Sequence, residues 1–152
     1  MRSLSFLFIV ILFVCIGCEK MRNCGECFTP PGPISFKIID SSSGNNLISP
    51  IGFSPDSIQL YCFSDYVKKN VKCEIYGNDV NRRIVSNELS WNSISENKYY
   101  YLYLSYTDVN TLFVNTAIIT ENCCTWHELK DFKINGNSID YDSNEFVFII
   151  EK

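Results

Sequence analysis

Short runs in which apolar and polar side chains alternate constrain this chain more than any other feature. In Ile34-Ser35-Phe36-Lys37-Ile38 the apolar residues fall on every second position. That is the period at which a strand turns one face to a core and the other to water. The pattern recurs over 57–63, aligning Ile58, Leu60 and Cys62, and over 71–76, aligning Val71, Cys73 and Ile75 against Lys72 and Glu74. Further strands are expected at 98–106, 111–120 and 145–151, with a short one at 83–86 and a bulged return over 122–134 whose alternation breaks near Trp126. Asn135-Gly136 is the sharpest turn signal, because both residues tolerate the positive φ of a tight hairpin. Residues 41–46 read as a polar loop, and 87–97 as loop or a turn of helix. Phe occurs 11 times and Tyr 9 times, whereas Ala, the best helix former, stands only at Ala117, so composition also favours strands. No period of 20 to 50 residues repeats, which leaves solenoids and propellers without support. Seven to nine strands joined by short loops give an all-β fold: a single antiparallel β-sandwich, immunoglobulin-like or transthyretin-like, with a small barrel as the alternative.

The beginning of the chain has a different character. Arg2 supplies a positive charge, Leu4 to Val14 form an apolar run, and Cys15-Ile16-Gly17 leads into Cys18. A charged start, a short apolar segment and a small residue before a cleavage point describe an export signal. The stretch from Leu4 to Gly17 holds about 14 residues, against about 20 needed to cross the hydrocarbon of a bilayer. Gly17-Cys18 resembles the lipobox of bacterial lipoproteins, which implies that Cys18 receives lipid and becomes the first mature residue. The expected division is thus 1–17 signal peptide, 18–33 a Cys- and Pro-rich tether, and 34–152 the β domain. Pro30, Pro31 and Pro33 keep the tether extended and out of a sheet interior.

With Cys15 in the signal and Cys18 at the anchor, six cysteines remain: Cys24, Cys27, Cys62, Cys73, Cys123 and Cys124. An even set in an exported chain reads as a disulfide framework. Strands 57–63 and 71–76, taken as a hairpin, make Cys62 and Cys73 near cross-strand partners. The other four would link the tether to Cys123-Cys124. Vicinal side chains on a regular strand point to opposite faces, so two such links require an irregular backbone there. A metal reading competes: Cys24-x-x-Cys27 with Cys124-x-x-His127 has the spacing of a three-thiolate, one-imidazole zinc site. A thioredoxin-like redox reading of Cys24-Gly25-Glu26-Cys27 fails on Pro30 and Pro31, which forbid the helix such a thiol needs.

Other classes are disfavoured. Without Arg2, 13 basic side chains fall to 12 against 17 acidic ones, so the formal charge of -4 becomes -5. That sign repels phosphate backbones, and nucleic acid is not an expected partner. His127 is the only histidine, and no nucleophile elbow, zinc-protease motif or phosphate-binding glycine loop occurs. No cofactor or catalytic residue is therefore expected. Tyr99, Tyr100, Tyr101, Tyr103 and Tyr106 form the densest aromatic cluster. The preferred reading turns Leu102 and Leu104 inward with the tyrosines in cross-strand pairs outside, and the alternative is a platform for a glycan or a partner protein. Trp91 and Trp126 are expected to pack.

Ile38-Ile39-Asp40 followed by Ser43-Gly44-Asn45-Asn46-Leu47, and Ser54-Pro55-Asp56-Ser57-Ile58 leading into a strand, resemble the small lipoproteins abundant in Bacteroidetes. Asn122-Cys123-Cys124 and Lys133-Ile134-Asn135-Gly136 are similar to that group as well. The resemblance implies an envelope lipoprotein, on either side of the outer membrane, that touches the membrane through lipid on Cys18. It brings no activity with it. The function expected from the sequence is a lipid-anchored binding or structural module of the envelope. The alternative is an envelope metal or thiol protein using Cys24, Cys27, Cys124 and His127.

Overall fold

A computed structural model describes residues 27–94 and 99–152. The signal segment, Cys18 and Cys24 lie outside the described residues. The fold is nearly all β, with two sheets packed face to face. One sheet has the order β1 (Cys27–Phe28), β9 (Cys124–Ile134), β8 (Asp108–Glu121), β7 (Tyr99–Ser105), β3 (Gln59–Ser64), β4 (Val67–Val71), and β10 (Asn137–Ser138) pairs with β9 as its seventh strand. The other sheet runs β11 (Asp140–Asp142), β12 (Val147–Glu151), β2 (Ile34–Ile39), β6 (Arg83–Ser86), β5 (Glu74–Tyr76). Two pairings are parallel, β1 with β9 and β12 with β2, so the sandwich is mixed where the alternation suggested a purely antiparallel one. Alternation is silent on strand direction, which the connections decide.

The core is the sum of the inward faces. Phe36, Ile38, Ile84 and Ile150 come from the five-stranded sheet, and Leu60, Tyr100, Leu102 and Leu112 from the seven-stranded sheet. Tyr100 is fully buried beside Leu102 and Leu104, so one member of the tyrosine cluster points inward. Burial pushes its phenol well above the ordinary tyrosine range. Outside, Tyr61 and Tyr101 stack with centroids 5.3 Å apart and planes 15° apart, and Lys68 Nζ lies 4.1 Å from the Tyr61 centroid. Both faces of Tyr61 are thus covered from within the sheet, which leaves them no room to stack a sugar ring.

Three hairpins turn through pairs of residues with positive φ: Asp65-Tyr66, Asn122-Cys123 and Asn135-Gly136. This is the geometry of a type I′ turn, whose twist matches that of the strands it joins. Asn135-Gly136 is where the sequence placed it. The β8–β9 pair carries a register shift, with Asn115 opposite Asp131 and Thr116 opposite Leu129, so the bulge falls at Lys130 and not near Trp126.

The expected Cys62–Cys73 bridge is not formed, and both residues are thiols. The β3–β4 turn is tighter than the polar link suggested, which sets Cys62 opposite Lys69 and Leu60 opposite Val71. Continued register would put Cys73 four residues along β3 from Cys62, about 13 Å at 3.3 Å per residue. A cystine needs Cα atoms within about 7 Å. The chain in fact leaves the seven-stranded sheet after Val71. Helix α1 (Asn87–Asn92) holds the crossing. The Lys72 amide donates to Glu88 Oε2 at 2.7 Å, and the Ser86 hydroxyl donates to the Lys72 carbonyl at 2.6 Å. Ser86 also caps the helix, its Oγ accepting from the Leu89 amide. Residues 71–76, which read as one strand, are therefore a junction between two sheets.

Candidate functional site: a groove beneath a pinned strap

The Cys- and Pro-rich tether is bound to the domain at Cys27, through one of the links to Cys123-Cys124 that the sequence suggested. Cys27 and Cys124 form a cystine with Cα atoms 4.5 Å apart, across the parallel pairing that also sets Phe28 opposite Thr125. The Thr29 amide donates to the Thr125 carbonyl at 2.9 Å. The His127 Nδ1 atom lies 2.8 Å from the Thr29 carbonyl. A carbonyl only accepts, so Nδ1 carries the proton in this contact. Phe28 sets its ring edge-on to His127 at 5.4 Å, and Trp91 lies 5.7 Å from the same imidazole. Trp91 itself remains half-exposed, contrary to the expectation that it packs inside. Among the described residues, contacts with the domain thus already include Cys27, seven residues before Ile34. The prolines do not prevent this, because β1 is an edge strand that ends before Pro30.

Cys123 is disulfide-bonded too, and its partner lies outside the described residues. Its φ of 71° places it in the β8–β9 turn, whereas Cys124 opens β9. That change of backbone is the irregularity two vicinal bridges require. The cystine also overturns the proposed zinc set. The sulfurs of Cys27 and Cys124 are bonded to each other and are not thiolates, and among the described residues no group of three or more His, Cys, Asp or Glu could hold a metal ion.

Beneath the strap Pro31-Gly32-Pro33 runs a groove of about 850 Å³. It opens where the five-stranded sheet is incomplete. β12 joins β2 only from Phe148 opposite Phe36, so Ile34 and Ser35 have an unpaired flank on that side. The groove passes through this gap. Its inner wall includes Leu129, Thr116 and Phe148, and its outer wall Val85, Arg83 and Phe146. The size and the mainly apolar lining with a few polar groups are those of a small-molecule site.

The polar groups are unequally satisfied. The Ser90 hydroxyl donates to the Asn87 carbonyl, and Thr116 Oγ1 is 2.7 Å from Ser93 Oγ. Lys37, on the outer face of β2 yet buried, pairs with Glu145, whose loop folds over it. Arg83 donates to the Glu145 backbone carbonyl at 3.3 Å, and no carboxylate lies within ion-pair distance of it among the described residues. Ser35 is 8% exposed, and its Oγ is the one buried side-chain polar atom without a hydrogen-bond partner among the described residues. Such an atom costs on the order of 1–3 kcal/mol unless something fills its bonding capacity. Phe146 stands at the mouth, 73% exposed, with a φ of 55° that a side chain bearing Cβ rarely adopts.

Ser35, Arg83 and Glu145 carry no signal in the sequence that marks them as a site. Ser35 and Lys37 alternate with apolar neighbours and read as a solvent face, but both are buried, and Lys37 lies under a loop more than a hundred residues later. Of the groove's polar side chains only His127 stands out in the sequence, and for a different chemistry. Comparison of the chain with protein families, curated proteins and solved structures finds no match. Among the described residues, no helix is long and apolar enough to cross a membrane.

Proposed function

We propose that the chain is a lipid-anchored binding module of the bacterial cell envelope, held by lipid on Cys18 and binding through the groove beneath its strap. The observation that carries this reading is the cystine joining Cys27 to Cys124. Disulfides persist in oxidising compartments outside the cytoplasm, which is where the signal-like start and Gly17-Cys18 would deliver the chain. Cys27 follows Cys18 by nine residues. Fully extended, nine residues span at most about 30 Å, so a domain pinned at Cys27 would sit close to the bilayer. The resemblance to Bacteroidetes lipoproteins points the same way. A binding role is favoured over a purely structural one by the groove's Ser35 hydroxyl and by Arg83, which among the described residues have no hydrogen-bond partner and no carboxylate at ion-pair distance, respectively. Detergent phase partition and intact mass test the anchor. The wild type should enter the detergent phase with the mass of a lipid-bearing Cys18, and Cys18→Ser should move to the aqueous phase. Unchanged partition of Cys18→Ser would refute lipidation at that residue.

A further inference from the structure

We propose that the groove beneath the strap holds a long-chain fatty acid, with its carboxylate at Arg83 and Ser35 and its alkyl chain drawn through the open flank of β2 against Leu129 and Phe148. This rests on the binding-module reading and names its ligand. Three observations converge on it.

The first is charge. Lys37 and Arg83 lie on the same outer face of the five-stranded sheet, and Glu145 neutralises Lys37 alone. Glu74, across the sheet on β5, is already committed to Lys72 and to the Tyr76 hydroxyl. Glu88, which borders the neighbouring hollow with Arg83, accepts from the Lys72 amide, so the charges around Arg83 balance overall. The Arg83 guanidinium is nevertheless the one cation here without a carboxylate at ion-pair distance among the described residues, and can take a monoanion. A guanidinium presents its donors in a planar fork that a carboxylate accepts with both oxygens. The second is the Ser35 hydroxyl. Ser35 pairs with Val85, two residues from Arg83 on the same face of β6, so the two side chains are diagonal neighbours. A carboxylate held by Arg83 would give the orphaned hydroxyl an acceptor. The third is the path. The groove bends from the outer face of the sheet through the gap beside Ile34 to the space between the sheets, with apolar side chains along it. A flexible alkyl chain follows such a bend, and a rigid planar ring does not.

The test uses the full chain, as the wild type in lipid nanodiscs and as Cys18→Ser in detergent-free buffer, with the fluorescent polyene cis-parinaric acid as probe. The expected result is saturable binding at one site per chain and displacement by palmitate. Hexadecanol, which has the alkyl chain without the charge, should bind at least about tenfold more weakly, the scale of one charge-assisted hydrogen bond. Arg83→Gln should weaken palmitate by at least about tenfold and leave hexadecanol unchanged. Leu129→Trp, with its fold verified by thermal melting, should weaken both. Absence of saturable binding would overturn the inference, and so would equal affinities for palmitate and hexadecanol. Displacement by a lysophospholipid but not by palmitate would overturn the carboxylate assignment. The two readings fail separately. Cys18→Ser that stays with the membrane sinks the anchor while groove binding is still measured, and a released Cys18→Ser chain that binds no probe sinks only the ligand.

Discussion

Removing the Cys27–Cys124 cystine should cost far less than its span suggests. The bridge separates its ends by 97 residues, and closing a loop of that size in the unfolded chain is worth about 4.7 kcal/mol in the chain-entropy treatment. Cys123 is bridged as well, and Cys24, three residues before Cys27, is the partner the sequence offers it. While that second bridge holds, the long loop is already closed. Cys27–Cys124 then closes only a ring of about five residues, for which the same treatment gives about 2 kcal/mol. Replacing Cys27 and Cys124 together by Ala should therefore cost about 2 kcal/mol, and Cys24 with Cys123 about the same. All four replacements should cost about 7 kcal/mol, well beyond the sum of the two pairs. Urea unfolding followed by tryptophan fluorescence reads these differences as shifts of the midpoint, with thiol content measured on each variant. Costs of about 5 kcal/mol for each pair alone, adding linearly in the fourfold variant, would refute the shared-loop argument.

Three further outcomes follow from the geometry. Tyr66 is fully exposed at a φ of 62° in the β3–β4 turn, so Tyr66→Gly relieves a left-handed side-chain conformation and should stabilise the protein by about 0.5–1 kcal/mol; a lower melting temperature would count against the turn assignment. The hydroxyls and amides of Ser42 and Ser43 hold the Asp40 carboxyl down at about 2, so its contribution is complete above pH 4 and is lost as the pH falls through about 2; a carboxyl ¹³C titration with a midpoint near 4 would contradict those bonds, and Ser42→Ala should raise the midpoint. Cys62 and Cys73 are thiols facing the core, and burial pushes the Cys73 thiol up, so both should resist alkylation in the native protein and react once it is unfolded in guanidinium; no thiol in the unfolded, unreduced chain would return them to a cystine.

The alternation of side chains determined that this protein is nearly all β, because a half-buried strand needs its apolar residues on every second position. Asn135-Gly136 likewise determined its own turn, since a type I′ hairpin needs two residues that accept positive φ. Those are local rules, legible one segment at a time. The tertiary structure decided everything that depends on which segments meet. It split 71–76 between two sheets, because Glu88 and Ser86 bind the backbone of Lys72, and so it kept Cys62 and Cys73 apart. It turned Tyr100 inward, it buried Ser35, and it buried Lys37 under a loop that the sequence places far away. The groove exists because β12 begins pairing one turn of the pleat too late to cover Ile34 and Ser35. Strand register is a long-range property: each strand's pattern fixes which face is inward, but not where along its neighbour it stops, and the candidate site lies at such a stop.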